Sequence, residues 1–366
     1  MKKETSNHPP KRVVVKLGTG VLTSGVGELN TARIAAVCAG IAALRARGTE
    51  VIVVSSGAVG LGMGRLGLEK KPKEISKIQA CAAIGQSLLM QTWQAGFAPH
   101  GLTVAQVLLT HDDLRLRSRY LGVQETLRQL ISYGTIPVIN ENDTVAIEEL
   151  MFTDNDELAG LIAAQMNADK LILLTSVKGV YDGHPSDPGA KLIPEIDPRK
   201  NGWPEVSAVK TAQGRGGMVS KLGTARKMSE LGITTHIASM REPQVIVRIV
   251  RGESPGTAVL PEKKKSSVKR WIAAGKSKQN GIVTVNACLF DILKDNKRVI
   301  SILPVGIEEC AGEFKKGDLV ELVAANGEKI GIGIARYGAD KLREYKGQKD
   351  KPEFIHYDHL HIGTGS

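Results

Sequence analysis

At 366 residues, with 42% hydrophobic side chains and a formal net charge of +11, the chain is long enough for two domains and reads as soluble and globular. The first twelve residues hold no apolar stretch, and the longest apolar run, residues 34–44, is too short to span a bilayer, so neither a secretory signal nor a membrane span is expected. Cys38, Cys81, Cys288 and Cys310 lack CxxC spacing and fit reduced thiols of a cytoplasmic protein rather than disulfides or zinc ligands.

The positive charge is uneven: residues 1–275 carry a net +10 and residues 276–366 a net +1. Half the excess sits in Lys263, Lys264, Lys265, Lys269 and Arg270, a run that reads as a solvated linker. The remainder suits an enzyme that handles anions.

The first expected element is a buried strand over residues 12–17, RVVVKL, with Lys16 as its one central charge. A lysine near the carboxyl end of an apolar strand must carry its ammonium to water or into a polar site. Gly18-Thr19-Gly20 follows at once, offering close backbone approach and N–H groups suited to phosphate oxygens. It lacks the third glycine of the dinucleotide fingerprint, and no P-loop pattern, GxxxxGK(S/T), occurs.

A helix over residues 31–47 is capped by Asn30 or Thr31 and stopped by Gly48. Residues 50–54 form a second strand that breaks into Ser55-Ser56-Gly57 and a glycine-rich bend through Gly60, Gly62, Gly64 and Gly67. A long helix over 75–93 contains Gln79, Gln86 and Gln91, and a third strand covers 103–109. A helix over 118–133 starts beside Arg115, Arg117 and Arg119, which are expected in solvent or in a subunit contact, and a fourth strand covers 136–139. This β-α-β-α-β-α-β order implies a right-handed parallel α/β sheet covered on both faces.

The fourth strand opens the stretch 136–164, which closes in a helix after Asn155. Between them stand Asn140, Glu141, Asn142, Asp143, Thr144, Thr153, Asp154, Asn155 and Asp156. A strand that ends in acceptors and leads to a helix N-terminus holds a polar ligand at the carboxyl edge of an open α/β sheet. A plain loop with an N-cap at Thr153 or Asp154 would use only one or two such groups.

Residues 170–174 form a fifth strand running into Thr175 and Ser176, followed by a surface excursion over 183–205. Gly214-Arg215-Gly216-Gly217 then leads into a helix over 218–231 with Lys221 in its first turn; glycines, a helix N-terminus and a lysine together make an anion site. Residues 234–238 and 245–250 read as further strands, 252–256 as a turn. From Gly281 short β-branched segments (282–285, 299–303, 319–323, 330–335) alternate with turns, Asn326-Gly327 being a strong hairpin signal. His356, His359 and His361 crowd the C-terminus, but without nearby cysteines they make a poor metal cluster.

Lys16 and Lys221 on glycine-rich turns, with carboxylates gathered at a strand edge, are what phosphoryl transfer needs: charge on the moving group is neutralised and the reactants are held in line. Asp156, at the start of its helix, is placed to hold both ammonium groups. The protein-kinase signatures HRD and DFG are absent, so a kinase here belongs to another fold.

The segments VVVKLGTG with VLT, VSSGAVGLG, IPVINENDTVA, FTDNDELA, KLILLT with KGVYD, and GRGGMVSKLGTA resemble the amino acid kinase family in the right order over residues 10–260. Within it they look like the members that phosphorylate the γ-carboxylate of L-glutamate. ILPVGI, FKKGDLVEL and GIARY resemble a PUA domain. The resemblance implies an open, mostly parallel α/β sheet sandwiched by helices over residues 1–262, a linker over 263–278 and a small, mainly β, PUA-like domain over 279–366.

It implies ATP-dependent formation of L-glutamyl 5-phosphate, the first step of proline biosynthesis, with Mg2+ entering on ATP rather than in a protein cage. Lys16 and Lys221 would stabilise the transferred phosphoryl and Asp156 orient them; Ser56, Asp143 and Asn155 would bind glutamate. Gly18, Thr19 and Gly20 would approach the phosphates. Thr175, Ser176, Arg215, Gly216, Gly217, Met218, Val219 and Ser220 would line the nucleotide site with both lysines. The acceptor is already a carboxylate at neutral pH, so no general base is required.

Two positions depart from the family: Ser176 where Asp is usual, and Arg215 where a small hydroxyl residue is common. The family further implies a cytoplasmic homo-oligomer coupled to glutamate-5-semialdehyde dehydrogenase (glutamyl phosphate reductase). Two alternatives remain: another carboxylate or carbamate kinase of the same fold, and an RNA-binding regulator acting through the PUA-like domain. The near-neutral charge of 276–366 argues against strong phosphate-driven RNA binding.

Overall fold

The computed structural model describes residues 10–25, 27–145, 154–185, 187, 189–200, 202–204, 217–262, 281–295 and 300–362. The expected linker, Thr153, Arg215 and Gly216 lie outside them. The chain divides into two compact units, one of Met1–Leu114 with Arg119–Lys264, the other of Lys265–Ser366 with Arg115–Ser118.

The first unit begins with β1 (Arg12–Leu17), a single helical turn α1 (Thr19–Leu22), the short hairpin β2 (Thr23–Gly25) and β3 (Glu28–Leu29), and α2 (Thr31–Arg45). Asn30 caps α2 by accepting from the Arg33 amide at 3.0 Å, and Gly48, at φ 82°, turns the chain out of it. Then come β4 (Glu50–Ser55), α3 (Ala58–Arg65), α4 (Ile75–Phe97), β5 (Val104–Leu109), α5 (His111–Arg115), α6 (Arg117–Ser132), β6 (Ile136–Glu141), α7 (Asn155–Gln165) and β7 (Lys170–Thr175). β8 (Glu195–Ile196), α8 (Met218–Glu230), β9 (Thr234–Ser239), α9 (Val245–Val250) and β10 (Gly256–Val259) complete it.

The strands form one eight-stranded sheet in the order β5-β6-β4-β1-β7-β9-β10-β8, parallel throughout except for β9 against β10. β1 lies inside it, pairing β4 and β7, which is why its valines are fully buried. The pleat sorts its side chains. Val13, Val15 and Leu17 join Ile34, Ile41, Trp93, Phe97 and Ile246 in one core cluster; Val14 and Lys16 point to the opposite face, where α7 packs.

Two glycine-rich and β-branched segments fold differently from expectation. The run through Gly60, Gly62 and Gly64 is not a bend but α3, entered through Gly57 at φ 110°. Its glycines serve packing: a Cβ on Gly62 would stand 1.9 Å from the Cys81 carbonyl, and one on Gly85 1.8 Å from that of Ala58. Thus α3 and α4 touch backbone to backbone. Residues 245–250 form α9 rather than a strand; a six-residue run of valine and isoleucine fits either period, and Gln244 at φ 51° sets the helical entry. Residues 252–256 lead into the antiparallel β10, and the 183–205 excursion supplies β8 beside it.

The second unit holds β11 (Gly281–Val285), α10 (Ala287–Asp295), β12 (Ile307–Gly312), β13 (Leu319–Ala324), β14 (Lys329–Ile334), α11 (Ala339–Tyr345) and β15 (Leu360–Ile362). The sheet order is β12-β11-β13-β14-β15 around a core of Val283, Ile302, Val320, Leu322, Phe314, Phe354 and Ile355. Asn326-Gly327 makes the β13–β14 hairpin with Gly327 at φ 83°. Of the expected strand at 299–303, the described residues 300–303 make one bridge, Ile302 with Ile355, and β12 and both helices were not expected. No helix among the described residues is long and apolar enough to cross a membrane.

One buried pair makes stability depend on pH. His236 on β9 is buried with its Nε2 3.4 Å from Lys170 Nζ, and burial, aided by that ammonium, pushes its pKa down to about 3. The unfolded chain takes up a proton near pH 6.5 that the folded chain refuses until about pH 3, so stability falls as pH drops through that window. The contribution lost at pH 5 is about 2 kcal/mol. Urea midpoints at pH 7 and pH 5 should therefore separate less in His236→Gln than in the parent; an equal separation would assign the acid sensitivity elsewhere.

Candidate active site

The parallel strands end along one edge, and Lys16, Ser55, Asn140 and Thr175 stand there. In register, Lys16 pairs Val54 of β4 and Leu173 of β7, and Leu17 pairs Ser55 and Leu174. The amide of Ser56 donates to the Leu17 carbonyl at 3.2 Å, binding the turn after β4 to the turn after β1. The pleat that turns Lys16 away from the large core cluster points it at the first turn of α7.

Asp154 sets that turn. In extended backbone at φ −165°, it accepts from the amides of Asp156 and Glu157 through Oδ1, at 2.8 and 3.1 Å. Its other oxygen accepts from the Ser220 hydroxyl in the first turn of α8, so one carboxylate joins the starts of two helices. Asp156 follows, fully buried, with Lys16 Nζ 2.7 Å from Oδ1 and Lys221 Nζ donating to Oδ2 at 2.9 Å. The Lys16 contact is an ion pair without hydrogen-bond alignment. Lys16 and Lys221 are themselves only 4% and 7% exposed.

Burial alone would raise the pKa of Asp156, but the two lysines outweigh it and hold the carboxyl below its ordinary value. Lys16 moves down chiefly through burial, with the Lys221 charge adding to this and Asp156 opposing it. Two ammonium groups against one carboxylate leave positive charge in excess, the arrangement a phosphoryl group needs.

Beside this triad lies an amide cluster. Asn155 Nδ2 reaches Ser56 Oγ at 2.7 Å, Asn140 Oδ1 at 3.0 Å and the Ser55 carbonyl at 3.1 Å. Ser56 and Asn155, expected together, are together. Asp143 is half-buried in the turn after β6. Gly18-Thr19-Gly20 is not an open loop: Gly18 precedes α1, and the amides of Val21 and Leu22 already bond to its carbonyl. A Cβ on Gly18 would lie 3.5 Å from Lys16 Nζ, so the backbone passes close to the lysine. Thr175 ends β7 half-buried and Ser176 is exposed just beyond. Gly217 precedes α8, and Met218, Val219 and Ser220 form its first turn ahead of Lys221.

Sequence reasoning, which offers Asp154 as one of the loop's ligand acceptors or as a cap, missed its role in joining two helices, and the contacts made by Ser55, Gln86 and Asn140. A buried glutamine on an apolar helix face was the available signal.

The chain belongs to the amino acid kinase family, whose model matches residues 11–239; the model of the PUA domain matches residues 281–354. Within that class it is similar over nearly its whole length to proteins named glutamate 5-kinase. That of Chlorobaculum tepidum is 41% identical over 357 residues, covering 97% of this chain and 98% of the relative. Those of Chromohalobacter salexigens and Thermus thermophilus are 42% and 41% identical, each over 96% of both chains.

Proposed function

We propose that this protein transfers the γ-phosphoryl group of ATP to the γ-carboxylate of L-glutamate, giving L-glutamyl 5-phosphate and ADP as the first step of proline biosynthesis. The observation that carries the reading is Asp156 gripping Lys16 and Lys221 at 2.7 and 2.9 Å, one residue from Asn155 and its contact with Ser56. A γ-carboxylate oxygen attacks the terminal phosphorus, the new O–P bond forms as the bond to the ADP oxygen breaks, and no proton moves. Lys16 and Lys221 neutralise the equatorial oxygens, and Asp156 holds the two ammonium groups in place.

Ser56, Asp143 and Asn155 would hold the amino acid. Gly18, Thr19, Gly20, Thr175, Ser176 and residues 215–220 would line the nucleotide site. Asp154 and Asp156 are both committed to protein donors. Mg2+ would therefore be held mainly by nucleotide phosphates, where it would screen their charge. We assign residues 1–262 to the kinase domain, 263–278 to a linker and 279–366 to the PUA-like domain. A cytoplasmic homo-oligomer passing its labile acyl phosphate to glutamyl phosphate reductase completes the reading.

Hydroxylamine traps acyl phosphates as hydroxamates, so incubation with ATP, magnesium and a panel of acidic substrates tests the proposal. Glutamate should give hydroxamate; signal from aspartate or acetylglutamate without glutamate would overturn the assignment. In the same assay Lys221→Ala should turn over about 10²–10³ more slowly with little change in folding, since it removes one electrostatic donor. Near-normal turnover would remove Lys221 from the proposed set.

A further inference from the structure

A line of side-chain amides leads from the amino-acid site into the protein. Asn155 Nδ2 donates to Asn140 Oδ1 at 3.0 Å, Asn140 Nδ2 to Gln86 Oε1 at 2.9 Å, and Gln86 Nε2 to Gln106 Oε1 at 3.2 Å. Two backbone groups fix its direction. The Ser55 carbonyl can only accept, so Asn155 must present Nδ2 to it; the Glu141 amide can only donate, so Asn140 must present Oδ1, at 2.9 Å. With both Nδ2 protons of Asn155 directed inward, no described group donates to its Oδ1, and Asn155 is half-buried.

We infer that Gln86 is a positioning residue for the amino-acid substrate: by accepting from Asn140 Nδ2 it holds Asn140 and, through it, Asn155 in place, so that the Oδ1 the backbone leaves facing outward on Asn155 meets the ligand. An acceptor there recognises a donor, the ammonium group of an amino acid. The inference rests on the proposed function only in naming that ligand. Gln86 is 9% exposed and Asn140 2% exposed, so loss of the glutamine acceptor leaves an amide donor with no solvent to turn to. Asn140 would then shift toward another acceptor, its Oδ1 still held by the Glu141 amide, and Asn155, which donates to it, would shift with it.

Gln86→Leu should raise the KM for glutamate about tenfold while kcat and the KM for ATP stay within about twofold. Gln86→Glu, which retains an acceptor for Asn140, should return the KM to within about threefold of the parent. A readout independent of turnover is the side-chain amide resonance of Asn155, identified by its loss in Asn155→Ala; it should shift in Gln86→Leu. If Gln86→Leu does not fold, Gln86→Met carries the same comparison. An unmoved Asn155 resonance, or equal losses toward glutamate and ATP, overturns the inference. Absence of glutamyl hydroxamate with the parent protein would instead overturn the functional reading, and the resonance would still judge Gln86.

Discussion

Asp156→Asn is expected to lower turnover by about 10³ or more and to shift unfolding to lower denaturant. The amide has nearly the shape of the carboxylate but no charge, leaving two buried ammonium groups that lay 2.7 and 2.9 Å from their counter-ion beside each other. Breaking a buried pair by neutralising one member costs about 3–5 kcal/mol. The repulsion is relieved by the lysines separating or by Lys16 releasing a proton, and either ends the charge balance that transfer requires. Because burial already lowers the Lys16 pKa and Asp156 opposes that change, the substitution moves it further down. The alkaline limb of kcat should appear at lower pH in the variant than in the parent. Turnover within tenfold of the parent, or an unmoved alkaline limb, would show that Asp156 does not keep Lys16 charged.

The second large effect belongs to a residue with no side chain. Gly85→Ala places a methyl group where the Ala58 carbonyl stands 1.8 Å away and the Gly62 amide nitrogen 2.5 Å away. Both neighbours are backbone, so no side chain can rotate aside, and α3 must separate from α4. The expected cost is about 3 kcal/mol or more. Since α3 follows Ser56 directly and α4 carries Gln86, the surviving folded fraction should also bind glutamate poorly. Gly122→Ala on α6 is the control: nothing lies within 4 Å of its added Cβ, so it should stabilise by about 0.5–1 kcal/mol. Equal urea midpoints for the two variants would remove the close crossing as an explanation for Gly85.

Much of this molecule is legible in its residues because local and global demands agree. RVVVKL reads as a central strand since valines suit a strand covered on both faces, and Lys16 stands out there because a buried ammonium needs a partner. Asp154 and Asp156 could be placed at a helix start from N-cap chemistry alone. The failures have a common cause, which is packing overriding local preference. Gly60, Gly62 and Gly64 suggest a bend when judged singly and form a helix because a neighbouring backbone presses against it. Residues 245–250 satisfy either period, and a left-handed residue before them decides the outcome. The Gln86 chain was beyond reach for another reason: its hydrogen bonds join residues 54 and 20 positions apart, and sequence spacing carries no trace of which strands become neighbours.

Asn155 and Asp156 are consecutive in one rigid helical turn. Their Cα atoms are therefore held about 3.8 Å apart, and neither can move without the other. On the proposed reading, one fixes the amino end of the acceptor and the other fixes the lysines that meet its far carboxylate. The start of α7 thus acts as a ruler for the carbon chain between those ends. On that reading aspartate, one methylene shorter, would be held at the same mark and would fall short of the phosphorus. A redesign toward shorter acids would therefore have to re-site Asn155 relative to Asp156.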